Sequence, residues 1–109
     1  MPLIFRSELI SKILSGKKTT TIRPAPAKYK VGTIYAVKNN PYRPPICWVK
    51  IISARLKKLG ELSEEEAIRD GFSGLEELKE FWESIYGSWD PEMEVVIYEF
   101  KITKKELGA

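Results

Sequence analysis

Apolar positions along the chain mark out its elements before any other feature does. Leu9, Ile10, Ile13 and Leu14 recur at helical spacing, with Ser7 placed as an N-cap and Gly16 placed to stop the helix. The β-branched run from Thr19 to Ile22 reads as a strand, ended by Pro24-Ala25-Pro26 because proline cannot continue a ladder. Tyr29-Lys30-Val31-Gly32 forms a turn into a strand over 33–38, and the proline-rich stretch Asn39 to Pro45 is a loop. A long strand runs from about Ile46 to Leu56. Ser63 with Glu66, and Ser73 with Glu76, match the capping-box spacing of two helix starts. The first helix ends near Asp70-Gly71. The second carries Leu75, Leu78, Phe81, Trp82 and Ile85 on one side and breaks at Gly87 to Pro91. Val95 to Ile102 alternates as a final strand.

Strands of this number, punctuated by prolines and glycines with helices inserted between them, predict an α+β arrangement. The expected form is a small, mostly antiparallel β-barrel with two to three flanking helices, closed so that no sheet edge is left exposed. At 109 residues, with no repeat and no composition shift, residues 1–109 are expected to form a single domain. The 43% hydrophobic and 11% aromatic content is that of a packed chain rather than a disordered one. No apolar run approaches a membrane span, so no membrane association is expected. The lone Cys47 cannot form an internal disulfide, which fits a reducing, cytoplasmic setting. Richness in Lys and Glu without a glutamine tilts the composition toward thermophile proteins.

Charge changes this picture. The net charge is only +3, but residues 1–60 hold 13 Lys or Arg against one acid, whereas residues 61–109 hold 5 against 14 acids. Such asymmetry either marks a polyanion-binding face or records two halves that pair across one fold. The absence of histidine excludes Ser-His-Asp and Cys-His triads, and the His-based and Cys-rich zinc signatures are missing too. Neither a phosphate-binding glycine loop nor a dinucleotide fingerprint is present, so no metal and no cofactor are expected. Acid–base work then falls to Lys, Tyr, Asp or Glu.

The stretch that stands out is Lys17-Lys18-Thr19-Thr20-Thr21-Ile22-Arg23. Three threonines flanked by three cations concentrate donors suited to a phosphate, a carbonyl or the edge of a base. A solvated strand with threonines on its outer face is the plainer alternative. Tyr42 and Arg43, in the proline-pinned loop, either stack on an unpaired base or form a plain lid. Asp70-Gly71 serves as a helix stop or as part of a site. Cys47 and Trp82 fall at apolar positions and are expected in the core.

The run from Gly16 to Arg23, the Tyr29-Lys30-Val31-Gly32 turn, Ala67 to Phe72, Leu75 to Leu78 and the closing Val96 to Phe100 strand resemble the ASCH domain family. That resemblance implies a PUA-like barrel and a role in binding RNA or modified nucleosides. Lys17, Thr19, Thr20, Arg23, Tyr42 and Arg43 are then the candidate ligand-binding residues. Some small members of the family are amidohydrolases that remove the acetyl group from N4-acetylcytidine with a lysine, a threonine and a glutamate. By that likeness the catalytic candidates are Lys18, Thr21 and Asp70, the last one methylene shorter than the glutamate. A threonine hydroxyl needs a base to take its proton, and a lysine acts as one only when its pKa is lowered. Arg23 or backbone N–H groups would meet the developing oxyanion. In a regular strand Lys18 and Thr21 have opposite parity, so they can cooperate only if Lys18 lies in the turn after Gly16.

Overall fold

The computed structural model describes residues 1–105, so the expected 1–109 domain extends four residues beyond the described part. Its elements in chain order are β1 (Leu3–Ile4), α1 (Ser7–Leu14), β2 (Thr20–Pro24), β3 (Ile34–Lys38), β4 (Cys47–Lys58), a 3-10 turn (Leu59–Glu61), α2 (Glu64–Arg69), α3 (Leu75–Tyr86) and β5 (Glu94–Lys105). The five strands form one sheet ordered β1-β3-β4-β5-β2, with β1 parallel to β3 and the remaining pairs antiparallel. This is an α+β fold, a curled, barrel-like sheet with three helices.

The β4–β5 pair is its backbone. Both strands run several residues past their apolar stretches because each supplies the other with ladder partners, from Cys47 opposite Lys105 to Lys58 opposite Glu94. Register shifts after Trp48 and after Ile51 are β-bulges, which bend a strand and increase its twist. The curl brings the edge strands together without a ladder between them. Arg23 Nη2 of β2 donates instead to the carbonyl of Ile4 in β1, at 3.3 Å. The sheet is a curled half-barrel, and among the described residues no ladder joins β1 to β2 at this seam.

Val37, Cys47, Val49 and Ile51 point to the inner face and are fully buried with Phe100 and Tyr98. The helical stripe Leu9, Ile10 and Ile13 packs there from α1, and Leu78 and Trp82 from α3. Cys47 and Trp82 therefore stand in the core, as their apolar spacing implies. Among the described residues no helix is long and apolar enough to cross a membrane.

Two cap assignments are corrected. Ser7 is the first helical residue rather than the cap; Arg6 precedes it, and the Ser7 hydroxyl accepts from Asn39 Nδ2 at 3.1 Å. The Ser63–Glu66 capping box forms in both directions, at 3.1 and 2.8 Å, but the Ser73–Glu76 box does not. The start of α3 is served from outside, by Glu64 Oε1 accepting from the Leu75 N–H at 2.7 Å. Gly74 makes room for that carboxylate, because a Cβ there would stand 2.0 Å from it. Tertiary proximity of α2 displaces the local cap.

Candidate functional site

Beside the β1–β2 seam, between α1 and α3, lies a cavity of about 270 Å³. Lys18, Thr21, Arg23 and Asp70 cluster as its polar end, and Asn39 is a further polar lining residue. The rest of the lining is aromatic and aliphatic, with Phe5, Phe72, Phe81, Trp82 and Tyr86 among its residues.

The polar end is built from helix ends. After α1 the chain turns through Gly16, whose φ of +82° suits glycine, and the backbone N–H groups of Lys17 and Lys18 donate to the Lys12 carbonyl at 2.9 and 3.0 Å. The Thr19 N–H then donates to the Arg69 carbonyl at 2.9 Å, joining this turn to the end of α2. Asp70 caps α2, and Gly71 follows with φ +98°. A Cβ on Gly71 would lie 3.2 Å from Lys18 Cβ, so glycine here serves both backbone conformation and close approach. Lys12 Nζ donates to the Gly71 carbonyl. Lys18 Nζ donates to both the carboxylate and the carbonyl oxygen of Asp70, each at 2.7 Å. Two cations thereby satisfy the carbonyl-rich end of α2, where the helix dipole favours positive charge.

The Lys18–Asp70 ion pair is nearly sealed from solvent, with side chains 2% and 6% exposed. Burial pulls the Lys18 pKa down against the opposing pull of Asp70, and the nearby cations Arg23 and Lys12 push it the same way. Burial also pushes Asp70 up to about 6, even though Lys18 and Arg23 favour its charged form. Both displacements point toward neutrality, so the two groups titrate as a coupled unit.

Lys18 lies in the segment before β2, not in the strand, so the parity objection to its meeting Thr21 does not apply. Thr21 pairs with Tyr98 in the ladder and faces the cavity, where its Oγ1 accepts from Arg23 Nε at 3.0 Å. The cationic centres of Arg23 and Lys18 stand 5.1 and 5.5 Å from the centre of the Phe5 ring, within cation–π range. Arg6 caps the ring of Phe81 at 5.1 Å in the same way.

Lys18, Thr21, Asp70 and Arg23 are thus brought to one cavity. The other candidates are not. Lys17 and Thr19 are exposed and outside its lining. Thr20 alternates to the opposite face of β2, where it lines a second, polar cleft of about 370 Å³ with Arg55, Lys57, Glu66 and Arg69. In that cleft Glu66 accepts from Lys57 at 2.7 Å and from Arg55 at 3.2 Å. Tyr42, 93% exposed, and Arg43 sit in the loop and line neither space. Sequence reasoning missed Phe5, Arg6, Asn39 and the α3 wall. One available signal was the crowding of Phe81, Trp82 and Tyr86 on a single helix.

The ASCH domain family model matches residues 3–104. The chain belongs to the ASCH domain family. No curated protein sequence matches it. Among solved structures it is similar to the ASCH domain from Lactobacillus crispatus, with TM-score 0.76, 21% identity, and coverage of 89% of this chain and 71% of that one. A protein from Enterococcus faecalis aligns over 100% of this chain and 84% of its own, with TM-score 0.72 and 20% identity. The ASCH protein from Zymomonas mobilis gives TM-score 0.66 at 13% identity, covering 96% of this chain and 71% of that one. At such identities the likeness establishes the fold of this ASCH domain and leaves its ligand to the site itself.

Proposed function

We propose that this ASCH domain, acting as one unit, recognises a base of RNA or a modified nucleoside in the cavity beside the β1–β2 seam. The observation that carries the reading is the cavity's mixed lining. Phe5, Phe72, Phe81, Trp82 and Tyr86 offer aromatic surface, and Arg23, Thr21, Asn39 and the Lys18–Asp70 pair offer donors and acceptors. A planar, edge-polar ligand needs that combination. The volume suits something smaller than a drug-sized molecule. Membership of a family whose domains are generally RNA-binding agrees with it.

The experiment is a calorimetric titration with cytidine, N4-acetylcytidine and other nucleosides. Saturable binding that is lost in Arg23→Ala is expected. No heat or chemical-shift change with any nucleoside at millimolar concentration would remove the proposal.

A second reading, hydrolysis of an N4-acylated cytidine, draws on one specific observation: Lys18, Thr21 and Asp70 share the cavity, and burial lowers the Lys18 pKa. Neutral Lys18 would accept the Thr21 proton as Thr21 Oγ attacks the acyl carbon. Arg23, already bonded to that hydroxyl, would face the developing oxyanion. The C–N bond then breaks, the proton passes to the departing exocyclic nitrogen, and water releases the acid from the threonyl ester. Against it, Lys18 is engaged by Asp70 rather than Thr21 in this structure. Acetate release from N4-acetylcytidine that disappears in Lys18→Ala is the outcome it requires.

A further inference from the structure

The outer face of the sheet carries a feature that the cavity does not use. Residues alternating with buried Val37, Cys47, Val49 and Ile51 face away from the core, and the register aligns them across strands. Ile34 stands opposite Lys50, and Lys50 directly opposite Lys101. In the next row Trp48 stands opposite Lys104, and at the edge Lys38 pairs with Ile4. Like charges directly opposite one another destabilise an antiparallel pair, yet Lys50 and Lys101 are so placed, and neither has an ion-pair partner among the described residues. Ile34 is 51% exposed, so the face offers apolar surface beside its cations. Glu99, at the same parity on β5, accepts from Ser53 toward the α2 end.

We infer that this face, centred on Lys50 and Lys101, carries the sugar–phosphate backbone of a single-stranded RNA whose base enters the cavity. The inference rests on the proposed nucleobase pocket for its orientation, and on charge and shape for its occupant. Cations spaced along a sheet neutralise successive phosphates of one strand. The face also reaches the cavity. Ile4, the register partner of Lys38, lines it, and so does Asn39, the next residue in the chain. A strand crossing β5, β4 and β3 would therefore arrive at residues that line it.

The test measures a fluorescently labelled ten-nucleotide oligocytidine RNA by anisotropy and free cytidine by calorimetry, in parallel. Lys50→Glu/Lys101→Glu is expected to weaken RNA binding at least about tenfold while leaving the nucleoside untouched. The neutral Lys50→Gln/Lys101→Gln variant should lower the salt slope of RNA affinity by about one to two. Unchanged RNA affinity and slope in both variants would overturn the inference. So would loss of nucleoside binding in the neutral variant, since the lysines would then act through the fold. Heparin or anionic phosphatidylserine vesicles binding as tightly as the RNA would also overturn it, as would wild-type protein that binds cytidine and no RNA. That last result leaves the nucleobase pocket standing, whereas RNA binding without nucleoside binding removes the pocket and keeps the face.

Discussion

Glu66 and Asp70 lie four residues apart on the same short helix, and their surroundings drive them in opposite directions. Burial acts to raise both. At Glu66 it is outweighed by hydrogen bonds from Lys57, the Ser63 backbone N–H and Arg55, so its carboxyl is held down at about 2. At Asp70 burial is nearly complete and prevails over the Lys18 ammonium at 2.7 Å and the weaker pull of Arg23, pushing the carboxyl up to about 6. Partner distance does not separate them, because the Lys57–Glu66 contact is also 2.7 Å. The difference is access to water: Arg55 and Lys57 remain 53% and 28% exposed, whereas Lys18 is 2% exposed. A hydrated cation can stabilise a carboxylate cheaply, and a desolvated one must itself be compensated. Glu66 is thereby a structural clamp between α2 and β4. Asp70 is left near the range where protons move at physiological pH, on the wall of the cavity.

The sharpest way to break this contrast is to remove one partner on each side. Asp70→Ala leaves the Lys18 ammonium buried without its counter-charge, and a loss of about 3–5 kcal/mol in denaturant unfolding is expected. Replacing both groups, in Lys18→Met/Asp70→Leu, should recover most of that loss, because the buried charge is gone as well. If the double variant is no more stable than the single one, desolvation is not what distinguishes the pair. Glu66→Gln is expected to cost less, about 1–2 kcal/mol, since it weakens a capping box and two partly hydrated ion pairs. Its effect should shrink with added salt, whereas that of Asp70→Ala should not.

Titration sharpens the comparison further. The folded pKa of Glu66 lies below its ordinary 4.5, so its contribution is present above pH 4.5 and is lost as pH falls through about 2. The folded pKa of Asp70 lies above its ordinary 3.8, so its contribution is full below 3.8 and is lost as pH rises through about 6. Subtracting the stability of Glu66→Gln from wild type between pH 3 and 7 should give a difference that falls toward acid. The same subtraction for Asp70→Asn should give a difference that rises toward acid. Parallel slopes would show that the two carboxylates share one environment.

How much of this was legible in the sequence depends on the range of the interaction. The Ser63–Glu66 box follows from spacing over one turn, and Glu66 could be placed from it. The opposite facing of Thr20 and Thr21 follows from strand parity, and the position of Lys18 outside the strand from Gly16 stopping α1. Asp70 was ambiguous because Asp-Gly ends helices whether or not the side chain has work to do. Its role is decided by the approach of Lys18, 52 residues away in sequence. The Ser73 cap failed for a similar reason, with Glu64 reaching in from α2. The aromatic wall was hidden because an apolar helix stripe looks the same whether it meets packed side chains or an open cavity. Tyr42 and Arg43 lie outside the lining of both spaces, because residue type alone does not say where a loop side chain stands.

The smallest expected stability effect carries the most functional information. Thr21→Val removes the acceptor for Arg23 Nε but nearly preserves volume, and Arg23 keeps its bond to the Ile4 carbonyl. Because Arg23 is only partly buried, a loss of about 0.5–1 kcal/mol is expected, well below that of Asp70→Ala. The Lys18–Asp70 pair and its pH response should be unchanged, since neither group bonds to the threonine hydroxyl in this structure. Nucleoside affinity is another matter. A base edge that reaches the polar end meets a guanidinium whose aim depends on Thr21, so binding should weaken about tenfold or more, as expected when a buried polar contact is left unmatched. Full affinity in Thr21→Val would mean that the apolar wall alone holds the ligand.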